Sequence, residues 1–406
     1  MRGNSVLPPR FFLALPFTAL PKRLALAPRR RAEVPGLHTM PPPSGIELQP
    51  GAQGLDFANY FVSYGYLYHQ KDMLQDRGRM TAYRNAILQN ASCFEGKVVL
   101  DVGAGSGVLS IWAAMAGAKR VYAVEATSMA QHARRLVQQN GVQDVVVVLE
   151  GYMEAQELPE KVDLIVSEWM GYFLLREAMY DSVLAARDKW LKPGGAMYPS
   201  HAFLRMAPLC SALYGSRLAE FDEEVSQWGE FSSWMLDGNG INVSGLTGFF
   251  AREQQEYLLQ SAQWCQLRQS EVIGDEFSVS EFDLHTTTTK ELASFSTSFR
   301  SVISEDALLN AFGGWFDTDF NGSAAEPAPK PVTLTTAPES ATHWAQQVFL
   351  VHPPLVVEVG DTLEGIVKVA RQKLNHRLLW VQLTLTHSRA GVGQVGPERT
   401  LNFRID

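Results

Sequence analysis

A glycine cluster set between a β-branched run and a helical stretch constrains this chain more than any other feature. Residues 97–102 (Lys-Val-Val-Leu-Asp-Val) read as a buried strand, and Gly103, Gly105 and Gly107 follow at once. Glycines there let the backbone turn sharply and approach a ligand with no Cβ in the way. A helix is expected over residues 108–116, a strand over 120–124 and a helix over 128–140. Strands at 144–149 and 162–166 and a helix at 178–190 come next. Strands that alternate with helices need right-handed crossovers, so this half is expected to be an α/β domain on a parallel sheet.

Lys192-Pro-Gly-Gly195 breaks that rhythm. Beyond it, strand-like runs at 202–207, 277–284, 348–350, 355–359, 363–369 and 378–385 are separated by turn residues, which predicts a mostly antiparallel β domain. Residues 213–267 are rich in Trp, Phe and acids and look partly helical, as an insertion with its own task. Residues 323–331 read as a Pro/Ala loop. Ahead of the glycines, 55–89 has helical spacing, with Phe57, Tyr60, Phe61, Tyr64, Met73, Leu74 and Tyr83 recurring. The expected organisation is a basic extension (1–44), an α/β domain (45–200) and a β domain (201–406) carrying an insertion at about 213–267.

Residues 1–40 hold seven Arg or Lys and one acid, so a formal net charge of -8 leaves about -14 on the rest. An acidic body repels nucleic acid and attracts cationic partners. The first 44 residues resemble an organellar transit segment, while a disordered tail or a start at Met40 would show the same composition. No apolar run reaches the roughly 18 to 20 residues that span a bilayer. Three scattered cysteines, without metal-ligand spacing, point to a reducing compartment.

The glycine spacing is G-x-G-x-G, which differs from the dinucleotide pattern, and no Gly-Lys-Ser/Thr follows to cradle a phosphate. Glu125 ends the next strand, 22 residues after Gly103, where a carboxylate accepts both ribose hydroxyls of a nucleoside ligand. S-adenosylmethionine has a ribose and no pyrophosphate, and suits that pair. A purely structural turn and a solvated strand-end acid would leave the same residues. At the end of the fourth strand, Ser167-Glu168-Trp-Met-Gly-Tyr-Phe-Leu-Leu-Arg-Glu177 places two carboxylates around an apolar, hairpin-like loop. Open α/β sheets bind ligands at that end. An acid among apolar neighbours needs a cation, and a guanidinium matches a carboxylate in shape and charge. Two unrelated surface acids are the plainer reading.

These segments resemble the protein arginine methyltransferases, in particular their type I branch, which forms asymmetric dimethylarginine, and within it a plant-type group. The resemblance runs from about Phe57 to the C-terminus. Tyr60-Phe-x-x-Tyr64, Met73-Leu-x-Asp76-x-x-Arg79, the glycine turn, Glu125, Ser167-Glu-Trp-Met-Gly-Tyr172, Glu177 and Thr342-His343-Trp344 carry it. It implies a Rossmann-like domain followed by a β-barrel with a dimerisation arm. It implies S-adenosylmethionine held by Gly103, Gly105, Glu125, Glu154, Arg79, Gln70 and Met73, with Tyr60 and Tyr64 on a helix that closes over it. Glu168 and Glu177 would grip the substrate guanidinium. His343 would pair with Asp76, and Met170, Met179 and Trp344 would line the substrate side. No metal is implied. Type I members commonly have His where Gln70 stands, with His69 here one residue earlier. Gln still hydrogen-bonds a hydroxyl, so tuning rather than loss is expected.

The function implied is methyl transfer to arginines of proteins such as histone tails and Arg/Gly-rich proteins, by a homodimer in nucleus and cytoplasm. Organellar import follows instead if the first 40 residues are a transit segment. A catalytically weak relative acting as a scaffold is the alternative, and retention of both acids with the glycine turn counts against it. A dinucleotide oxidoreductase predicts glycine at position 108, which is Val.

Overall fold

The computed structural model describes residues 52–406, so the basic extension and its transit-segment reading lie outside the described residues. The helical stretch at 55–89 is three helices: α1 (Ala52–Tyr64), α2 (Leu67–Gln75) and α3 (Arg77–Leu88). The break before α3 is made by Asp76, which is extended at φ -67 and ψ 96 and accepts the Arg79 N–H at 3.0 Å as an N-cap. A single turn, α4 (Ala91–Phe94), leads into the sheet.

The first sheet comprises β1 (Val98–Val102), β2 (Arg120–Glu125), β3 (Val146–Glu150), β4 (Val162–Val166) and β5 (Leu191–Tyr198), in the order β3-β2-β1-β4-β5 and all parallel. α5 (Val108–Met115), α6 (Met129–Gln139) and α7 (Met179–Trp190) connect them. Every residue of β1 is buried, as a central parallel strand requires. Lys192–Gly195 does not end this sheet, contrary to expectation, but lies inside β5. The β4 pairing slips between Val162 and Leu164, which absorbs the Pro-Gly-Gly segment. A Cβ on Gly195 would lie 2.8 Å from the Asp163 carbonyl oxygen, so glycine lets the bulged strand close on β4.

The antiparallel half starts at β6 (His201–Leu209). The expected insertion is a helical hairpin of α8 (Ala212–Asn239) and α9 (Thr247–Leu258), pinned where Trp228 stacks on Phe250 at 4.4 Å. Then come β7 (Gln263–Cys265), β8 (Phe277–Asp283), α10 (Thr289–Ala293), β9 (Ser294–Val302), β10 (Ala307–Gly322), β11 (Pro327–Thr335) and β12 (Gln346–Val357). β13 (Thr362–Arg371), β14 (Leu379–Arg389), β15 (Gly393–Gln394) and β16 (Arg399–Ile405) complete the chain.

These strands form two sheets, not the closed barrel expected. One runs β7-β12-β10-β6-β8 with β11 on β10, the other β15-β14-β13-β9 with β16 on β14. Aromatic contacts join them: Phe277 stacks on Phe299 at 4.3 Å, and Phe349 meets Phe403 edge-on at 5.2 Å. The 323–331 loop is also shorter than expected, because β11 begins at Pro327. As an edge strand whose one strand partner is β10, β11 tolerates Pro327, Pro329 and Pro331, which have no N–H to donate. Among the described residues no helix is long and apolar enough to cross a membrane.

Candidate active site

The glycine turn leaves β1 with Gly103, Gly105 and Gly107 all at positive φ, +71, +53 and +82. The Gly103 and Ala104 N–H groups both donate to the Val124 carbonyl at 2.9 Å, which fixes the turn against the end of β2. A Cβ on Gly103 would fall 2.1 Å from Met179 Cε, and one on Gly105 3.1 Å from Gln70 Oε1. Gln70 and Met179 therefore close over the turn. Gln70 is buried, while the neighbouring His69 packs against Tyr68 at 4.4 Å.

Glu125 completes this corner. One of its oxygens accepts the Gly105 N–H at 2.7 Å and the other accepts the Thr127 N–H at 2.8 Å. Burial pushes its carboxyl up, and the Thr127 and Gly105 hydrogen bonds pull the other way. Beneath the turn, Asp101 Oδ2 accepts the Ser110 hydroxyl at 2.7 Å while Oδ1 is buried without a partner. Burial pushes the Asp101 carboxyl up to about 7, against the Ser110 hydrogen bonds. Glu154 lies at the rim, where its carboxylate accepts the Ser182 hydroxyl of α7 at 2.6 Å.

The acid loop follows β4. Gly171 N–H bonds the Leu174 carbonyl at 3.0 Å, and a Cβ on Gly171 would sit 1.9 Å from the Arg176 carbonyl oxygen. Phe173, Leu174, Glu177 and Ala178 all have positive φ without being glycine. Each such residue costs about 1–3 kcal/mol and persists only where its surroundings force it. The forcing contacts come from afar. Phe173, Leu174 and Leu175 are buried, and Phe173 meets Phe349 of β12 edge-on at 5.1 Å. Trp344 Nε1–H donates to the Met170 carbonyl at 2.8 Å, and the Glu177 N–H donates to the Arg377 carbonyl at 2.8 Å.

The two acids have different partners. Glu168 pairs with Arg79 at 2.7 Å, both nearly buried, and Arg79 also donates to the Met73 carbonyl at 2.8 Å. Glu177 accepts the Tyr64 hydroxyl at 2.9 Å and has Arg176 at 3.6 Å. Burial pushes the Glu177 carboxyl up; Arg176, Tyr64 and Arg377 oppose that, and Glu168 adds to it. Tyr60 Oη lies 3.8 Å from Met179 Sδ, and burial raises its phenol, with Glu177 adding to the rise. Arg79 thus bridges α2 and the acid loop, a link the sequence alone did not reveal.

His343 comes from the loop before β12 and meets Asp76 twice, through Nδ1 at 2.7 Å and its backbone N–H at 2.9 Å. Burial alone would raise the Asp76 carboxyl; hydrogen bonds from His343 and Arg79 outweigh it and hold the group below its ordinary value. A carboxylate only accepts, so the His343 Nδ1 carries a proton toward Asp76. Since Asp76 also caps α3, the Thr342-His343-Trp344 segment anchors both the Arg79 helix and the acid loop. Met170 and Trp344 are buried, with Met170 Sδ 3.6 Å from the Tyr83 hydroxyl and Trp344 edge-on to Phe316 at 5.3 Å.

Hydrogen bonds and ion pairs link Tyr64 to Glu177, Arg79 to Glu168, Asp76 to His343 and Glu125 to Gly105. Arg377 was not among the residues singled out in the sequence. Its signal, one basic residue in a polar turn that also holds Lys373 and His376, is too common to single out. Among the described residues no cluster of His, Cys, Asp or Glu could hold a metal ion. The glycine cradle, the paired oxygens of Glu125 and the acid loop fit a nucleoside ligand beside a cationic group.

Comparison with known proteins defines the class. Residues 213–389 match the model described as the arginine methyltransferase oligomerization subdomain, and residues 86–198 match that of a ribosomal protein L11 methyltransferase. The chain is 49% identical over 337 residues to protein arginine N-methyltransferase PRMT10 of Arabidopsis thaliana, covering 82% of this chain and 88% of the relative. The crystal structure of Arabidopsis thaliana protein arginine methyltransferase 10, described as a uniquely open conformation, superposes with a TM-score of 0.83 at 46% identity. It covers 86% of this chain and 100% of that one. A Trypanosoma brucei PRMT1 enzyme–prozyme complex with AdoHcy gives a TM-score of 0.72 at 32% identity, over 85% of this chain and 100% of that one. The chain belongs to the protein arginine methyltransferase family. It is a methyltransferase with a Rossmann-like domain and an antiparallel β domain.

Proposed function

We propose that this protein is a type I arginine methyltransferase, which transfers methyl groups from S-adenosylmethionine to protein arginines and makes mono- and asymmetric dimethylarginine. The observation that carries this reading is the acid loop, where two carboxylates at a sheet end are held by strained backbone beside a nucleoside-type cradle. The AdoHcy named with the Trypanosoma relative supports the cofactor.

When bound, S-adenosylmethionine would supply an electrophilic sulfonium methyl for in-line transfer to nitrogen, with the thioether S-adenosylhomocysteine as the leaving group. Glu125 would take the ribose hydroxyls with its remaining lone pairs, and Arg79 the amino-acid carboxylate. Glu168 and Glu177 would hold the guanidinium, offset the repulsion between two cations and direct one nitrogen at the methyl. The nitrogen's proton becomes acidic only as the new bond forms. His343 Nε2, set by Asp76 at Nδ1, or Glu177 would accept it. Met73 and Met179 would wall the pocket. Met170 and Trp344 would brace it.

Arginine-bearing proteins such as histone tails and Arg/Gly-rich proteins suit an acidic body. Homodimerisation through the hairpin suits the solvent-facing Trp234, Phe249 and Tyr257. Nucleus and cytoplasm are the proposed locations, and full-chain and 45–406 fluorescent fusions separate this from organellar import. The defining experiment incubates the protein with labelled S-adenosylmethionine and an Arg/Gly-rich peptide. Label on arginine supports the reading; no transfer from intact protein ends it.

A further inference from the structure

The turn between β13 and β14, residues 372–378, reaches the acid loop and α1 through one residue. Arg377 is a cation with only 6% of its side chain exposed, which demands compensation. Its Nε–H donates to Asp56 Oδ2 of α1 at 3.0 Å. Its guanidinium carbon lies 3.6 Å from the centre of the Tyr60 ring, one turn further along α1. Its carbonyl accepts the N–H of Glu177, itself at φ +85. A desolvated cation over an aromatic face is held by the ring quadrupole more strongly than an exposed one. The turn has its own anchor, since Arg371 grips Asp181 of α7 through two hydrogen bonds of 2.7 and 2.9 Å. The Arg377 side chain is therefore available for a task other than fixing the turn.

We propose that Arg377 is a positioning residue that latches α1 over the cofactor by its side chain and, by its carbonyl, holds the backbone of Glu177 in register with that helix. The inference rests on reading α1 and Glu177 as parts of the cofactor and substrate sites. It assigns the β domain a share in cofactor retention, although the residues expected to touch the cofactor all lie in the N-terminal half. Because the carbonyl survives side-chain substitution, the latch is separable from the hold on Glu177.

The test uses full-length Arg377→Met, Arg377→Lys, Tyr60→Leu and the Arg377→Met/Tyr60→Leu pair. S-adenosylhomocysteine affinity is read by calorimetry, with KM and kcat from peptide methylation and Tm from thermal unfolding. Arg377→Met should weaken S-adenosylhomocysteine binding and raise the KM for S-adenosylmethionine by about tenfold, with kcat changed less than threefold. Arg377→Lys, which keeps a cation for Asp56 and the ring, should recover most of that loss. The double variant should be no weaker than the worse single one, since both remove the same contact. Should Arg377→Met not fold, Asp56→Asn combined with Tyr60→Leu carries the same comparison. Unchanged affinity in Arg377→Met, multiplicative effects in the pair, or a lower Tm with KM untouched would each overturn the proposal. A wild-type protein that binds no S-adenosylhomocysteine would instead remove the cofactor reading itself.

Discussion

The cofactor corner and the acid loop sit at neighbouring strand ends but are built in opposite ways. Gly103, Gly105, Glu125 and Thr127 lie within 25 residues of one another, with the Gly105 and Thr127 N–H groups donating to the Glu125 carboxylate and the Gly103 N–H to the Val124 carbonyl. Their positive φ angles fall on glycine, so the corner is close to strain-free. The acid loop places positive φ on Phe173, Leu174, Glu177 and Ala178, and is held by Trp344, Arg377, Tyr64 and Arg79 from elsewhere in the chain. The glycine corner is thus assembled locally, whereas the loop that carries the two acids draws on much of the fold.

The contrast predicts that damage to the acid loop costs rate and damage to the cofactor corner costs affinity. Glu177→Gln should lower kcat by about 100- to 1000-fold, the scale for removing one group that stabilises charge in a reaction. S-adenosylhomocysteine affinity should hardly change, and a comparable loss in calorimetry would break the contrast. Glu125→Gln should do the reverse. An amide nitrogen would then oppose a backbone N–H, and cofactor affinity should drop about 10- to 100-fold while kcat stays within a few-fold.

Stability against pH sharpens the same comparison. The Asp101 carboxyl is raised from 3.8 to about 7 in the fold, so protonated Asp101 favours the folded state below its unfolded pKa. That contribution is lost as pH rises toward 7. Asp101→Asn, which stays neutral, should gain Tm relative to wild type between pH 4 and about 7 and then level off. Asp76 has the opposite sign. Its lowered carboxyl contributes above its ordinary 3.8 and loses that contribution as pH falls through the lower folded value. The stability advantage of wild type over Asp76→Asn should therefore shrink below about pH 4. The smallest effect is expected from Ala178→Gly, where relief of a left-handed backbone should add about 1 kcal/mol in denaturant unfolding. No gain there would mean that the loop is less strained than its angles indicate.

What was legible in the sequence follows the same divide. The parallel sheet and its glycine turn were readable because strand, turn and helix are consecutive and each has its own period. The fifth strand was hidden because Lys192-Pro-Gly-Gly195 looks like a terminator, and only a bulge against β4 accommodates it. β9 and β11 went unread, since the serines of β9 and the prolines of β11 suit edges and solvent faces rather than a buried pattern. In the site, Glu168 and Glu177 stood out as acids in an apolar loop. Their partners were invisible as partners, because nothing local joins Arg79 to Glu168 or Arg377 to Glu177.

The central claim, that this loop holds an arginine guanidinium for methylation, is tested most directly by fragmentation mass spectrometry of an Arg/Gly-rich peptide after reaction with S-adenosylmethionine. Wild-type protein should yield monomethyl and asymmetric dimethylarginine, with almost no product from Glu177→Gln over the same time. Symmetric dimethylarginine, methyl on another residue type, or equal product from the variant would contradict the account.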